Sequence, residues 1–341
     1  MIFLKKAFII SGVFISGLIG AGFASGSEIL FYFSRYSKMG FWGILLCVLI
    51  FSFVQYMVIS RSYSLKAFTI DDYYSKIMNK PLFMLSSIIS YLFMIVIFCA
   101  MLSGSGELLN SVFGIKKIYG ALIMLISTHF ILSKGYKGFL SAQSILSVII
   151  VVSIFLFGAY IIFFREQTVS VFKGNIEWGI SAISYASYNL LTAIAILCIL
   201  SKDSDVKTTA KSSLITFLIL LPILMLLWFI ICIYNGMINL GAMPLLTIAM
   251  RQSAFIGYLY CITIFISMLT TAVSNSYALI LRFSDFTDKK TAHYLVMASA
   301  FLLSGFKFEF IVDKLYRYVG ILSVFILFYI AKDFIKNYQK N

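Results

Sequence analysis

Apolar blocks, each long enough to form a membrane-spanning helix, follow one another along almost the whole chain. A helix needs about 20 apolar residues to cross about 30 Å of hydrocarbon. The connections between the blocks are short and polar, and none is long enough for a soluble domain. The sequence therefore predicts a single all-α transmembrane domain over residues 1–341. We place ten transmembrane helices at roughly 7–34, 41–65, 82–112, 118–133, 138–164, 176–200, 208–236, 254–282, 291–306 and 311–335.

The composition excludes several other classes of protein. Only 12% of the residues are charged and 61% are hydrophobic, whereas soluble domains average about 25% charged. The five cysteines lie inside apolar blocks without a C-x-x-C motif, so we expect small core residues and no disulfide or metal framework. The chain contains no H-E-x-x-H, G-x-S-x-G or P-loop motif. We therefore expect neither an enzyme nor a catalytic residue, and no organic cofactor.

The charge distribution predicts orientation. The net charge is +14, which in a soluble protein would suggest nucleic acid, but here the basic residues cluster between apolar blocks, where topology and anionic lipid explain them. Most of the 27 Lys and Arg residues fall on one side if the N-terminus is inside, so both termini are expected in the cytoplasm. Lys5 and Lys6 before an apolar run resemble a signal peptide, but the apolar pattern resumes at Ile29 and we expect no cleavage. The polar stretch 241–252 contains Pro244 and is expected to form a surface helix.

Glycines interrupt the middle of the first span. Three glycines in seven residues each cost about 1 kcal/mol of helix propensity relative to Ala, and polar Ser25, Ser27 and Glu28 follow at once. Glycine also serves close helix packing, but unwound backbone at membrane depth is tolerated where it lines a cavity or is packed by protein. We expect a broken helix whose backbone contacts substrate through Gly20, Ala21, Gly22, Phe23, Ala24, Ser25 and Gly26.

A second weak point lies in the sixth span, at residues 184–189. It has no glycine, but five of its six residues are polar or polar-tipped; the alternative is a polar seam between continuous helices. The two weak points lie about half the chain apart, which suggests two inverted repeats of five spans over about 7–165 and 176–336. Inverted repeats with discontinuous helices at matching positions indicate the midplane site of a secondary transporter.

Three segments carry a resemblance to a known family: residues 19–28 with the Gly-Ala-Gly-Phe-Ala-Ser-Gly core, residues 185–189, and residues 269–274. The chain resembles the YkvI-like bacterial membrane proteins of the amino acid–polyamine–organocation superfamily. The resemblance implies the LeuT fold, with a 5+5 inverted repeat and discontinuous helices 1 and 6, in the bacterial cytoplasmic membrane. It also implies a substrate held between spans one, three, six and eight. The side chains we expect there are Glu107, Tyr185, Ser187 and Asn189.

The ends of a broken helix suit a zwitterion. The second half of span one, predicted to begin near 24–27, would offer amides to a carboxylate, and carbonyls around 16–20 would face an ammonium group or a cation. In span eight, Ser267, Thr270, Thr271 and Ser274 share one helix face. By resemblance to sodium-coupled members, Thr270 and Thr271 would bind sodium, together with Ser267 and with the backbone oxygens of Ser16 and Ile19. The alternative is that these hydroxyls bond carbonyls of their own helix.

Ionisable groups within spans are costly and functional by default. Glu28 and Glu107 are the candidates to carry protons, to pair with a substrate amine, or to form an outer gate with Lys314 or Arg317; simple solvation at the outer surface is the alternative. No residue of span five is charged, so the lysine that replaces the cation in some proton-linked relatives is absent. His129 in span four is expected to make a polar contact between helices, with a role in proton transfer as the alternative.

The sequence thus predicts a secondary active transporter, most simply a sodium-coupled symporter of an amino acid or similar small organic solute. The partners expected are that solute and membrane lipid, with sodium as the coupling ion and no nucleic acid. Three alternatives stay open: a transporter-fold ligand sensor without coupled transport, a proton-coupled transporter that uses Glu28 or Glu107, and a channel.

Overall fold

A computed structural model describes residues 2–163, 177–234, 240–305 and 316–338. The regular secondary structure over these residues is helical, and short turns connect the helices. The helices are α1 (Ile2–Leu18), α2 (Ala21–Ser25), α3 (Ser27–Tyr32), α4 (Met39–Leu65), α5 (Ile70–Ile77), α6 (Lys80–Phe113), α7 (Lys117–Ser133), α8 (Gly135–Phe163), α9 (Trp178–Ser201), α10 (Val206–Tyr234), α11 (Pro244–Gln252), α12 (Ala254–Phe283), α13 (Lys289–Leu303) and α14 (Tyr316–Tyr338).

Seven of the described helices are long and apolar enough to cross a membrane, which confirms a multi-pass membrane protein. They are α4, α6, α8, α9, α10, α12 and α14, and they match predicted spans two, three, five to eight and ten. Predicted spans one, four and nine correspond to shorter helical segments, namely α1 to α3, α7 and α13. The start predicted for span ten, at 311, lies outside the described residues.

The first span is broken, as the glycines predicted. Helix α1 ends at Leu18, and α2 and α3 follow as two short helices joined at Gly26. Gly26 has a φ of 84°, in the left-handed region that a side chain disfavours. A Cβ on Gly26 would also lie 2.7 Å from the Leu245 side chain of α11. Glycine is therefore required at this joint for both backbone conformation and packing.

The sixth span is continuous, so the predicted break at residues 184–189 is wrong. Helix α9 runs unbroken from Trp178 to Ser201. Its polar side chains bond carbonyls of their own helix: the Ser187 hydroxyl donates to Ile183 (2.8 Å) and the Asn189 amide donates to Tyr185 (3.0 Å). Since residues 184–189 contain no glycine to weaken the helix, their polar side chains form these hydrogen bonds and the helix stays wound.

Helix α9 lies at the centre of the molecule and is almost entirely buried. It packs against α4 on one side and α14 on another, while α12 packs against α6, α8 and α11. The segment predicted to be a surface helix forms α11, with Pro244 at its first turn. One face of α11 is buried against α12 and α2 rather than lying at the surface. The broken first span is thus enclosed by α8, α9, α10, α11 and α12.

Candidate functional site

The break in the first span leaves a stretch of backbone outside regular helix. Gly20 is extended and begins α2, so the second half starts at Ala21 rather than near 24–27 as predicted. The amides of Ala24 and Gly26 donate to the carbonyls of Gly20 (2.9 Å) and Phe23 (3.1 Å), so they are already used. The first-turn amides of α2 are the ones without an intrahelical acceptor.

The predicted sodium ligands of α12 face this break. A Cβ built on Gly20 would lie 3.3 Å from the Thr271 hydroxyl, so the hydroxyl rests against the unwound backbone. The Thr271 hydroxyl is buried and has no hydrogen-bond partner. The carbonyl of Ile19 likewise accepts no hydrogen bond from the described part of the chain. Two of the predicted ligands are therefore oxygen atoms with unused lone pairs.

The remaining predicted ligands are bonded to one another or to their own helix. The Thr270 hydroxyl lies 3.0 Å from the Ser16 carbonyl of α1 and 2.9 Å from the Ser267 carbonyl. The Ser267 hydroxyl donates to Ile264 at 2.7 Å, so it follows the alternative in which hydroxyls bond their own helix. Oxygen-only ligands suit a hard cation such as sodium. The set fits that chemistry once the Thr270 hydroxyl no longer bonds the Ser16 carbonyl.

Gln143 of α8 ties the same region together, and the sequence reasoning missed it. Its side-chain oxygen accepts from the Ser16 hydroxyl at 2.7 Å. Its amide nitrogen donates to the Thr270 carbonyl at 2.7 Å and to the Ser274 hydroxyl at 2.6 Å. The sequence signal was that Gln143 is the one amide side chain in predicted span five. It joins spans one, five and eight.

Glu28 is buried within a cluster of tyrosines. Its side chain lies against Gly22, where a Cβ would collide with the carboxyl group. The residue is 4% exposed, and it makes no ion pair among the described residues. Its neighbours, which we call the tyrosine cluster, come from α3, α9 and α14: Tyr32, Tyr185, Tyr188 and Tyr316.

The tyrosine cluster is closely packed. Ring centroids are 5.2 Å apart for Tyr32 and Tyr185, 5.5 Å for Tyr185 and Tyr188, and 5.0 Å for Tyr188 and Tyr316. Sequence reasoning selected Tyr185 and missed the other three. Tyr185 and Tyr188 are one helical turn apart, which is the signal for Tyr188. The positions of Tyr32 and Tyr316 depend on which helices pack against α9.

Other predicted substrate contacts lie in and around the break. Phe23 is buried in α2, and the Ser25 hydroxyl bonds the Gly22 carbonyl at 3.3 Å. The Tyr260 hydroxyl of α12 donates to the Ala24 carbonyl at 2.8 Å and so fixes the end of α2. Ser187 and Asn189 bond their own helix, as described above. Their roles toward a substrate stay predictions.

Glu107 occupies a different setting from Glu28. Its carboxylate lies 3.4 Å from the ammonium group of Lys117 on α7, and both side chains are partly exposed. The two residues line a cavity of about 700 Å³ between the end of α6 and α11. Lys314 lies outside the described residues, as does the side chain of Arg317, so the predicted gate with them stays a prediction.

Further polar contacts hold the helices elsewhere. His129 of α7 and His293 of α13 share a hydrogen bond of 2.9 Å between ring nitrogens, in line with the expected contact between helices. At the Lys- and Arg-rich end, Arg282 of α12 pairs with Asp71 of α5 at 3.0 Å. Arg61 and Asp333 join α4 to α14 at 2.7 Å. Among the described residues, no group of three or more His, Cys, Asp or Glu side chains is placed to hold a metal ion.

Comparisons with known proteins agree with this architecture. No family model matches the chain. The uncharacterized membrane protein YkvI of Bacillus subtilis (strain 168) is 24% identical over 328 residues, which cover 92% of this chain and 91% of that protein. A Na⁺-coupled sialic acid symporter in a substrate-bound outward-open state superposes with a TM-score of 0.67 at 14% identity, over 94% of this chain and 78% of that one.

Two further solved structures are similar. MhsT in complex with L-phenylalanine gives a TM-score of 0.64 at 15% identity, over 93% of this chain and 87% of that one. Mhp1, a nucleobase-cation-symport-1 family transporter, gives 0.57 at 11% identity, over 87% of this chain and 71% of that one. The chain is therefore an all-helical membrane protein with the LeuT fold. Membership of the YkvI-like family stays a prediction.

Proposed function

We propose that this protein is a secondary active transporter that couples sodium to the uptake of an amino acid or a similar small organic solute by alternating access. In this proposal it spans the bacterial cytoplasmic membrane ten times, as two inverted repeats of five helices, with both termini in the cytoplasm. It catalyses no chemical reaction. The LeuT fold supports a transporter, since the similar structures include a Na⁺-coupled symporter.

One observation carries the sodium assignment: the unpaired Thr271 hydroxyl rests against the unwound backbone at Gly20. A buried hydroxyl without a partner costs about 1–3 kcal/mol, and a cation that uses its lone pairs would offset that cost. Sodium would complete the set by taking Thr271, the Ile19 carbonyl, and the Ser16 carbonyl now bonded to Thr270. Gln143 of α8 would hold α1 and α12 in place around the ion through its hydrogen bonds to Ser16 and Thr270.

The same break supports recognition of a small polar solute. The first-turn amides of α2 lack intrahelical acceptors, and such amides attract a carboxylate. Phe23, Tyr185 and the neighbouring backbone would set the size of the solute. The ion pair between Arg282 and Asp71 lies at the end that we assign to the cytoplasm, and it would close that side while the solute is loaded.

A proton-coupled transporter is the second candidate, and Glu28 favours it. A buried carboxyl group with no ion-pair partner among the described residues is the kind of group that binds and releases a proton as its surroundings change. Glu107 supports this candidate less well, because it is partly exposed and already paired with Lys117.

The test is solute uptake by purified protein in liposomes, measured by mass spectrometry on an amino acid mixture. A sodium gradient should drive accumulation, and Thr271→Ala should shift the sodium dependence to a roughly tenfold to one hundredfold higher sodium concentration. Accumulation that follows a pH gradient and survives Thr271→Ala would instead favour proton coupling. Saturable binding with no flux under either gradient would contradict transport and favour a ligand sensor.

A further inference from the structure

Glu28 and the tyrosine cluster form a second polar feature that the sodium assignment does not use. The carboxyl oxygen Oε2 of Glu28 and the hydroxyls of Tyr185 and Tyr188 are buried without hydrogen-bond partners. Both hydroxyls are nevertheless close enough to interact with the carboxyl group. Three buried polar groups at one place, all short of partners, indicate a ligand that brings hydrogen-bond donors and a positive charge.

The surrounding rings define the chemistry of that ligand. Glu28 lies one helical turn before Tyr32 on α3, and the Tyr32 ring lies 5.2 Å from the Tyr185 ring and 5.8 Å from the Tyr188 ring of α9, between centroids. Ring faces carry negative electrostatic potential and attract a cation within about 6 Å of the centroid. Aromatic rings around a carboxylate suit an alkylammonium group, which offers both a positive charge and an apolar surface.

The backbone around the cluster is shaped to hold the carboxyl group in place. Any side chain at Gly22 would displace Glu28, because the carboxyl group occupies the space beside the glycine. Gly320 of α14 allows close packing on α9, where a Cβ would lie 2.7 Å from the Ser184 carbonyl. That approach brings Tyr316, one turn earlier on α14, against Tyr188.

We propose that Glu28 and the tyrosine cluster form the binding site for an organic ammonium group, so that the transported solute is an amine or an amino acid with a cationic side chain. The inference rests on the proposed transport function and narrows its substrate class. The ammonium N–H groups donate to Glu28 and to the phenol oxygens, while the carbon atoms beside the nitrogen contact the rings. The rings fill the space between them here, so they part to admit the ligand as the spans rearrange.

The experiment measures thermal unfolding of the purified full chain with matched pairs of solutes. The pairs are n-butylamine with n-pentanol, choline with 3,3-dimethyl-1-butanol, and lysine with norleucine. The cationic member of at least one pair should raise Tm, and its uncharged or zwitterionic counterpart should not. The first two pairs contain no carboxylate, so comparing them with lysine separates amines from cationic amino acids.

Variants then test the assigned groups. Glu28→Gln should weaken binding of the active cation by about tenfold or more, because a charge-assisted hydrogen bond is lost. Tyr188→Leu removes both the ring face and the phenol oxygen and should weaken binding by about tenfold, whereas Tyr188→Phe keeps the ring face, loses one hydrogen bond, and should weaken binding by a smaller factor. Asp288→Asn removes one negative charge at an exposed helix cap and is the matched control. If Glu28→Gln does not fold, the contrast between the Tyr188 variants carries the test.

Equal shifts for charged and uncharged partners, no shift with any of the cations, or unchanged affinity in Glu28→Gln would each overturn the proposal. Uptake of a neutral amino acid that Glu28→Gln leaves intact would overturn it while leaving the proposed transport function standing. Loss of pH-driven uptake in Glu28→Gln with no preference for cations would assign a proton to Glu28 instead. Glu28-dependent binding without any flux would support the ammonium site and contradict transport.

Discussion

Replacing Thr271 with valine separates sodium binding from stability. Valine has nearly the shape of threonine but lacks the hydroxyl. Since that hydroxyl has no hydrogen-bond partner, its removal should leave stability without sodium unchanged or slightly higher. Thr270→Val removes a hydroxyl that bonds Ser16 of another helix, which should cost about 0.6–1.7 kcal/mol.

The size of the sodium effect follows from mass action. Sodium at one hundred times its Kd stabilises the wild-type protein by about 2.7 kcal/mol. A hydrogen bond or contact to a charged group is worth about 1.5–3 kcal/mol, so loss of the Thr271 ligand weakens binding roughly tenfold to one hundredfold. The same sodium concentration should then stabilise Thr271→Val by only about 0.4–1.4 kcal/mol.

The assay is thermal unfolding in detergent, with NaCl replaced by KCl at constant ionic strength. Thr263→Val is the matched control, because the Thr263 hydroxyl also lies on α12 but bonds Leu259 of its own helix. The control should keep the full sodium effect. A wild-type protein that responds equally to sodium and potassium, or a Thr271→Val protein with the full sodium effect, would refute the reasoning.

Three further changes test the helix contacts. Gln143→Leu removes three buried hydrogen bonds and should cost about 2 kcal/mol of unfolding free energy; a loss below about 0.5 kcal/mol would show that they contribute little. Arg282→Gln breaks the ion pair with Asp71 and should speed maleimide labelling of buried cysteines about fivefold, whereas unchanged labelling would exclude a gate. His129→Phe removes the bond between His129 and His293 and should cost about 0.6–1.7 kcal/mol of unfolding free energy. An unchanged thermal unfolding curve would contradict a stabilising role for that bond.

The sequence was sufficient for features that depend on local composition. Apolar blocks identified the long spans, and three glycines within seven residues predicted the break in span one, because glycine weakens helix and permits positive φ at Gly26. The break predicted in span six was wrong because polar residues in a helix can bond carbonyls one turn back, as Ser187 does. Polarity alone does not distinguish a helix that unwinds from one whose polar side chains form hydrogen bonds with its own backbone.

Contacts between distant helices were harder to predict. Thr270 and Ser16 were paired by resemblance, and the structure brings them into contact at 3.0 Å. Gln143 completes that arrangement from span five, but its partners depend on which face of α8 packs against α1 and α12. Glu28 was selected as a buried acid, yet its neighbour Tyr316 belongs to a helix almost three hundred residues away in sequence. Such clusters are set by packing, which a single sequence does not specify.

The most direct test of coupled transport is the accumulation ratio of the solute in proteoliposomes under an imposed sodium gradient. We expect the internal concentration of the solute to exceed the external one. Collapse of the sodium gradient with an ionophore should return the ratio to unity, and Thr271→Val should need a roughly tenfold to one hundredfold higher sodium concentration to drive the same accumulation. A ratio that stays at unity for the wild-type protein under both sodium and proton gradients would contradict the account.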